Sequence, residues 1–323
     1  MKDTLLEVTG LSKSFGGLKA VNNISLTVER GEVLGFLGPN GAGKSTTMKM
    51  ITGFLTPSEG NISVAGCNIK ETPLLAKRRI GYLPEGAPAY GEMTPMGFLN
   101  FIADIRDIPR AHKKARINEV LEKIHLTQVA NQPIETLSKG YKRRVGIAQA
   151  IIHDPEILIM DEPTDGLDPN QKHEIRQLIK EMATEKAILI STHILEEVDS
   201  VCTRAIIIAR GEVIFSGTPL ELASKSSYHN AVTIMVDAGL EQEIQLMLEE
   251  ITEIKDFEIT PQKDFTRMTM KPKAGVTDLR QSIQTKLDST DYGIHQLYVE
   301  EGRLDEVFRT MTRKHESGGI HRT

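Results

Sequence analysis

The order of apolar runs and turns predicts an α/β fold followed by a smaller α+β domain. Three observations carry this. Residues 32–37 form an apolar run flanked by glycine and lead into Gly38-Pro39-Asn40-Gly41-Ala42-Gly43-Lys44-Ser45-Thr46. Residues 157–160 form a second apolar run, which ends at Asp161-Glu162-Pro163. A short polar stretch at 224–230 is followed by a new succession of strand and helix patterns. Apolar runs of this length, bounded by turn residues, read as buried strands.

The elements follow in chain order. Residues 5–28 alternate short strands with turns, as an antiparallel edge sheet would. Residues 31–83 carry a strand, the glycine-rich loop, a helix from Thr46 onward and a hairpin around 62–64. Residues 86–153 have few strand patterns and much helix. One example is 113–124, with apolar spacing at Ile117, Val120, Leu121 and Ile124, so this segment is expected as a helical subdomain. Residues 157–217 return to strands at 157–160, 188–191 and 206–209, with a helix at 194–201 and a final hairpin into Ile214-Phe215. Residues 224–230 are a linker candidate. Beyond them, strands at 232–236, 257–260, 265–270 and 294–299 and helices at 240–250 and 276–287 give the order β-α-β-β-α-β. A closing helix at 304–311 follows. That order is the ferredoxin-like pattern. The expected units are 1–222, with its helical subdomain at 86–153, then 231–314, then a disordered tail at 315–323.

The pattern G-x-x-x-x-G-K-S between a strand and a helix suits phosphate chemistry. Bare backbone N–H groups meet an anion only where side chains stand aside, and Gly38, Gly41 and Gly43 allow that approach. The following helix points its first amides at the anion. Lys44 reaches the outer phosphates, and the Ser45 hydroxyl ligates magnesium. Asp161 and Glu162 stand at a strand end, where ligands of open α/β sheets gather. Adjacent strand residues point opposite ways, so the two carboxylates can take different roles. Asp161 can hold magnesium through its water shell, and Glu162 can orient or deprotonate an attacking water. Ser138 is placed to cap a helix at 139–152, which with Gly140 makes a second anion-accepting helix start. Lys142, Arg143 and Arg144 are unfavourable near a helix N-terminus. They are expected as a solvated face rather than a phosphate clamp.

The three stretches 38–46, Leu137-Ser138-Lys139-Gly140-Tyr141 and 157–163 resemble, in order, the Walker A, signature and Walker B motifs of ATP-binding cassette (ABC) transporter nucleotide-binding subunits. Asp165-Gly166-Leu167-Asp168 falls at that family's D-loop, and Ser191-Thr192-His193 at its switch histidine. Phe15 falls where the family stacks an aromatic on adenine. The resemblance spans about residues 4–220. It implies a P-loop ABC-type domain with an antiparallel edge sheet and a helical subdomain, binding ATP with Mg2+. In it Pro39, Asn40, Ala42 and Thr46 complete the phosphate loop, Glu162 and His193 act on the water and γ-phosphate, and Ser45, Glu85 and Asp161 attend the metal. It also implies that Ser138 and Gly140 face ATP held by a second copy, or a related cassette, so that the dimer is the active unit. A groove beside the helical subdomain would receive a helix from a transmembrane permease.

Two departures from the family pattern stand out. The signature has Lys139 and Tyr141 where Gly and Gln are usual, and Gly81-Tyr82-Leu83-Pro84-Glu85 carries Glu85 where Gln is usual. A carboxylate at 85 still ligates a hard cation. These variants resemble the branch of ATPases paired with ABC-2-type permeases, including the gliding-motility and copper-maturation families, and point to export.

A length of 323 residues allows about two domains. The net charge of −5 supplies no basic field for nucleic acid. The two cysteines, Cys67 and Cys202, have no metal spacing and suit a reducing cytosol as small core residues. No apolar run is long enough to span a bilayer, and the N-terminus lacks a signal-peptide pattern. The expected location is therefore the cytoplasm, peripheral on the inner face of the membrane through a permease. An alternative is a soluble mechanochemical ABC ATPase acting on ribosomes or DNA. Such relatives usually carry two cassettes or a coiled-coil insertion, and this chain has neither.

Overall fold

The computed structural model describes residues 3–86, 89–290 and 292–317. The chain divides into two compact units, Met1–Thr218 and Pro219–Thr323.

The first unit contains two sheets. Strands β1 (Thr4–Phe15), β2 (Leu18–Glu29), β4 (Glu59–Val64) and β5 (Cys67–Asn68) form an antiparallel sheet in the order β2-β1-β4-β5. Its alternating burial, with Leu6, Val8, Ile24, Leu26, Ile62 and Val64 inward, is the signature of a sheet with one wet face. The second sheet brings together β3 (Val33–Leu37), β6 (Ile80–Leu83), β7 (Ile157–Asp161), β8 (Ala187–Thr192), β9 (Arg204–Ala209) and β10 (Glu212–Gly217). Their order is β10-β9-β3-β8-β7-β6, parallel throughout except for the β9–β10 hairpin. Every residue of β3, β7 and β8 is buried, as expected of parallel strands covered on both faces. The core includes Phe36, Met48, Ile51, Ile159 and Leu189. At roughly 1.5–3 kcal/mol for each large apolar side chain buried, these short strands are held by packing more than by propensity. Cys202 is buried and Cys67 half-buried.

Helices α1 (Lys44–Ile51) and α2 (Pro73–Arg78) flank the first strands. Between β6 and β7 the chain is helical, with α3 (Pro95–Ile105), α4 (Arg110–Lys123) and α5 (Lys139–Ile151). Local chemistry sets their ends. The Thr94 hydroxyl accepts from the Gly97 amide at 3.1 Å, with Pro95 in the first turn. Ser138 accepts from the Tyr141 amide at 3.4 Å. Arg116 of α4 donates to the carbonyls of Ile151 and Ile152, satisfying the last turn of α5. Helices α6 (Pro169–Ala183), capped by Asp168, and α7 (Leu195–Val201) complete the unit.

The second unit begins with α8 (Pro219–Ala223) and continues as β11 (Val232–Asp237), α9 (Glu241–Leu248), β12 (Ile254–Pro261), β13 (Phe265–Pro272), α10 (Leu279–Leu287), β14 (Ile294–Val299) and α11 (Leu304–Ser317). The strand order β12-β13-β11-β14 is antiparallel throughout, which is the split β-α-β arrangement. Val232, Ile234, Met268 and Met270 pack with Ile244, Leu248, Leu279 and Ile283. Residues 315–317, expected in the tail, belong to α11; residues 318–323 lie outside the described residues.

Gly81 in β6 lies against the end of α5. A Cβ at this position would stand 2.2 Å from the Ala150 carbonyl oxygen and 2.6 Å from Leu158 Cδ2. Backbone cannot yield as a side chain does, so Gly81→Ala is expected to destabilise the protein by about 1–3 kcal/mol. Denaturant unfolding of the two proteins measures this, and equal midpoints would contradict it.

Candidate functional site

The site stands at the carboxyl edge of the parallel sheet, and strand register assembles it. Leu37 at the end of β3 pairs with Thr192 of β8. Asp161 at the end of β7 pairs with Ser191 of β8. The 38–43 loop, the carboxylate pair and His193 therefore leave the sheet side by side, as ligand-binding loops of open α/β sheets do.

The loop at 38–43 is held by close backbone contacts. A Cβ on Gly38 would lie 2.5 Å from the Ile208 carbonyl oxygen, and one on Gly43 would lie 2.6 Å from that of Ala20. Gly41 and Gly43 have φ of 80° and 106°, in the left-handed region. The Ala42 carbonyl accepts from the Gly211 amide at 2.9 Å, which ties the loop to the β9–β10 turn. Helix α1 starts at Lys44 with no acidic residue in its first turn, so nothing offsets its positive end. Lys44 Nζ donates to the Gly38 carbonyl at 2.7 Å and lies 3.9 Å from Glu162 Oε1. Ser45 and Thr46 are half-buried at the same helix start.

Asp161 is 2% exposed, and its Oδ1 accepts from the Ser191 hydroxyl. Glu162 is held on three sides. Its amide donates to the Ser191 carbonyl at 3.1 Å and reaches the Ser191 hydroxyl at 3.2 Å. Its carboxylate lies between Lys44 and His193, with Oε2 2.9 Å from His193 Nδ1. Its φ is 50°, a left-handed conformation. Such a backbone costs on the order of 1–3 kcal/mol and persists where the surroundings over-determine it. Phe15 ends β1 beside the turn to Leu18 and is 49% exposed, with the Lys13 ammonium 5.2 Å from its ring centre.

Glu85 adjoins this group through Glu162, whereas Ser138 and Gly140 lie apart from it. Glu85 is exposed and lines a small cleft of about 120 Å³ with Lys139, Arg143, Glu162 and Asp165. The Tyr82 phenol nearby is pushed up to about 12 by burial and by the charges of Asp161 and Glu85. Ser138 and Gly140 line a different cavity, of about 600 Å³, with Tyr141, Asp168 and Gln171. That cavity shares no lining residue with the 38–46 loop, Asp161, Glu162 or His193.

One expectation is corrected. Arg143 and Arg144 are not a solvated face, being 6% and 8% exposed. Arg144 pairs with Glu174 and donates to the Ile124 carbonyl at 2.9 Å. Arg143 donates to carbonyls of the loop after β7. Turns leave carbonyls without partners, and a guanidinium with five N–H groups satisfies several at once; desolvation accordingly lowers the pKa of Arg143. Sequence spacing also did not single out Glu197. It lies four residues after His193, is 2% exposed, and accepts from the Thr164 hydroxyl. Burial raises its pKa first, with the nearby Glu162 charge adding to the rise. The available signal was an acid at i+4 from His193 on a helix whose buried face it shares with Val198 and Val201.

This fold and site define a P-loop nucleotide-hydrolysing cassette, and comparison with known proteins agrees. The family profile described as ABC transporter matches residues 21–165. The Bacillus subtilis linearmycin resistance ATP-binding protein LnrL is 36% identical over 312 residues, covering 95% of this chain and 98% of the relative. The B. subtilis ABC transporter ATP-binding protein NatA is 42% identical over 202 residues, covering 62% and 82%. The solved structure of cbiO1 from Clostridium perfringens, described as part of the ABC transporter complex cbiONQ, superposes with a TM-score of 0.64 at 27% identity. It covers 77% of this chain and 96% of that one. The chain belongs to the ATP-binding subunits of ABC transporters, and it is an ATPase. Among the described residues no helix is long and apolar enough to cross a membrane.

Gly43→Ala combines a backbone contact at 2.6 Å with a φ of 106°. It is expected to weaken ATP binding roughly tenfold, equivalent to about 1.4 kcal/mol. Titration with a fluorescent ATP analogue measures this, and an unchanged Kd would mean that the loop does not cradle the triphosphate.

Proposed function

We propose that two copies of this chain close head to tail around ATP, hydrolyse it, and thereby drive a separate transmembrane permease in export. The observation that carries this reading is the separation of the two anion-accepting helix starts. The start of α1 carries Lys44 and Ser45 beside Glu162 and His193. The start of α5, with exposed Ser138, opens on a cavity that shares none of those residues. A single nucleotide on one chain occupies the first and leaves the second for nucleotide brought by another copy. Each phosphate site would then need both molecules.

In this reading Phe15 stacks on the base, where an aromatic face offers area to any purine. The amides at 38–46 and Lys44 hold the phosphates. Ser45, Asp161 and Glu85 offer only oxygen donors, which fits Mg2+ held with its waters and the phosphates; the ion would neutralise charge on the β- and γ-phosphates. Glu162 takes a proton from the water that attacks the γ-phosphorus, and His193, 2.9 Å from it, orients that carboxylate and the phosphate. ADP and phosphate leave, the contacts of Lys44 and the partner's signature helix to the γ-phosphate are lost, and the two cassettes separate.

The permease has a candidate seat on this chain. Exposed Phe54, Leu74 and Ile105 border a groove of about 410 Å³ between α2, β6 and α3. Apolar side chains exposed together mark an interaction surface. LnrL is named as an ATP-binding protein of linearmycin resistance, and cbiO1 as one part of a transporter complex. The second name supports a partnered role, which in this reading is played at the cytoplasmic face of a membrane.

Glu162→Gln keeps the shape of the site and removes the base. The variant is expected to bind ATP, to lose turnover by about 100-fold or more, and to run as a dimer with ATP in size-exclusion chromatography with light scattering. A monomer under saturating ATP contradicts the shared site. Adding Ser138→Arg places a bulky cation at the start of α5 and is expected to return the trapped species to monomer while ATP affinity stays within about twofold, less than 1 kcal/mol. A persistent dimer would show that α5 does not face the other copy's phosphate.

A further inference from the structure

Arg143 sits on α5 five residues after the cap, yet its guanidinium is turned away from solvent toward the end of β7. Nε donates to the Pro163 carbonyl at 2.9 Å. Nη2 donates to the Asp161 carbonyl at 2.6 Å and also to that of Glu162. Nη1 reaches the Pro84 carbonyl at 3.3 Å. Four acceptors from two loops thus meet one rigid fork. The acids around it are Asp165, Asp161, Glu162 and Glu197, which offset part of the cost of burying the cation.

The consequence falls on Glu162. Its left-handed backbone has the N–H fixed by Ser191 and the C=O fixed by Arg143. With both peptide groups pinned, the carboxylate is aimed between Lys44 and His193. Freeing one of them lets the residue relax toward an ordinary conformation, which re-aims the carboxylate without touching the phosphate loop. The fourth contact, to Pro84, places the neighbour of Glu85 in the same clasp.

We infer that Arg143 is a positioning residue for hydrolysis: it holds the backbone of Glu162 in the conformation that aims its carboxylate, and it ties that strand end to the loop carrying Glu85. This rests on the reading of Glu162 as the base. A lysine offers one compact ammonium and cannot span acceptors on two loops as the planar fork does. A methionine keeps the length and removes the donors.

The test uses the full chain with Arg143→Lys, Arg143→Met and Glu162→Gln side by side, measuring steady-state hydrolysis, affinity for an ATP analogue and thermal unfolding. Arg143→Met is expected to lower kcat by about 100-fold, the scale of a misplaced reacting group, with KM and nucleotide affinity within about twofold. Arg143→Lys is expected to fall between it and the parent. Parent-like kcat in both variants overturns the inference. So does a fall in nucleotide affinity that matches the fall in kcat, which is the mark of general loosening. If Arg143→Met does not fold, Arg143→Lys decides alone by the same split. Glu162→Gln separates the two ideas. Normal turnover in that variant removes Glu162 as the base, and this inference falls with it. Lost turnover there, with normal turnover in both Arg143 variants, defeats the positioning role alone.

Discussion

The structure depends on the parallel pairing of β8 between β3 and β7. That pairing is a register constraint. Slipping a strand by one residue reverses every side chain on it, and Ala187–Thr192 is buried on both faces, so no slipped register is tolerated. Because Leu37 meets Thr192 and Asp161 meets Ser191, the loop at 38–43, the carboxylates and His193 emerge together. Apolar packing thereby sets polar geometry. The close-packed core holds the strands in this register, and the loops inherit their positions from it.

Close-packed charge is the second feature of the site. Lys44, Arg143, Asp161, Glu162 and Glu197 are all buried. Isolated, each would carry a desolvation penalty of several kcal/mol. None is isolated: Lys44 meets a backbone carbonyl and Glu162, Asp161 meets Ser191, Arg143 meets four carbonyls, and Glu197 meets Thr164. Carbonyls turned inward at the end of β7 carry partial negative charge, and a guanidinium is the side chain best shaped to neutralise several of them. The result is a stiff network around a residue with an unfavourable backbone. This is how a strained backbone at the end of a buried strand survives.

The second unit works by simpler rules. Alternating residues of β11 and β13 place Ile234 and Met268 toward α9 and α10, while Thr233 and Thr269 bond each other on the other face at 2.8 Å. The half-buried Lys271 and Arg303 lie over the Tyr228 ring. Such cation–π contacts add about 0.5–2 kcal/mol each to the packing of its apolar face.

Much of this was legible in the chain itself. The runs that became β3, β7 and β8 were continuous apolar segments between turn residues, and burial on both faces writes that pattern directly. Gly41 and Gly43 were readable because only glycine enters the left-handed region without cost. Ser138 marked a helix start through a local hydrogen bond that needs no tertiary partner. Exposure was not legible. Arg143 and Arg144 looked like a solvated run, because local spacing carries no information about which carbonyls a distant turn leaves unpaired. The burial of Glu197 was hidden for the same reason, since its partner Thr164 lies 33 residues away. The sequence by itself determined which segments fold into strands and helices and which loop offers glycine and lysine to a phosphate, because propensity, capping and periodicity act over a few residues. Only the tertiary structure decided which charges are buried and what they hold, because that depends on backbone groups brought together from strands and loops far apart in the chain.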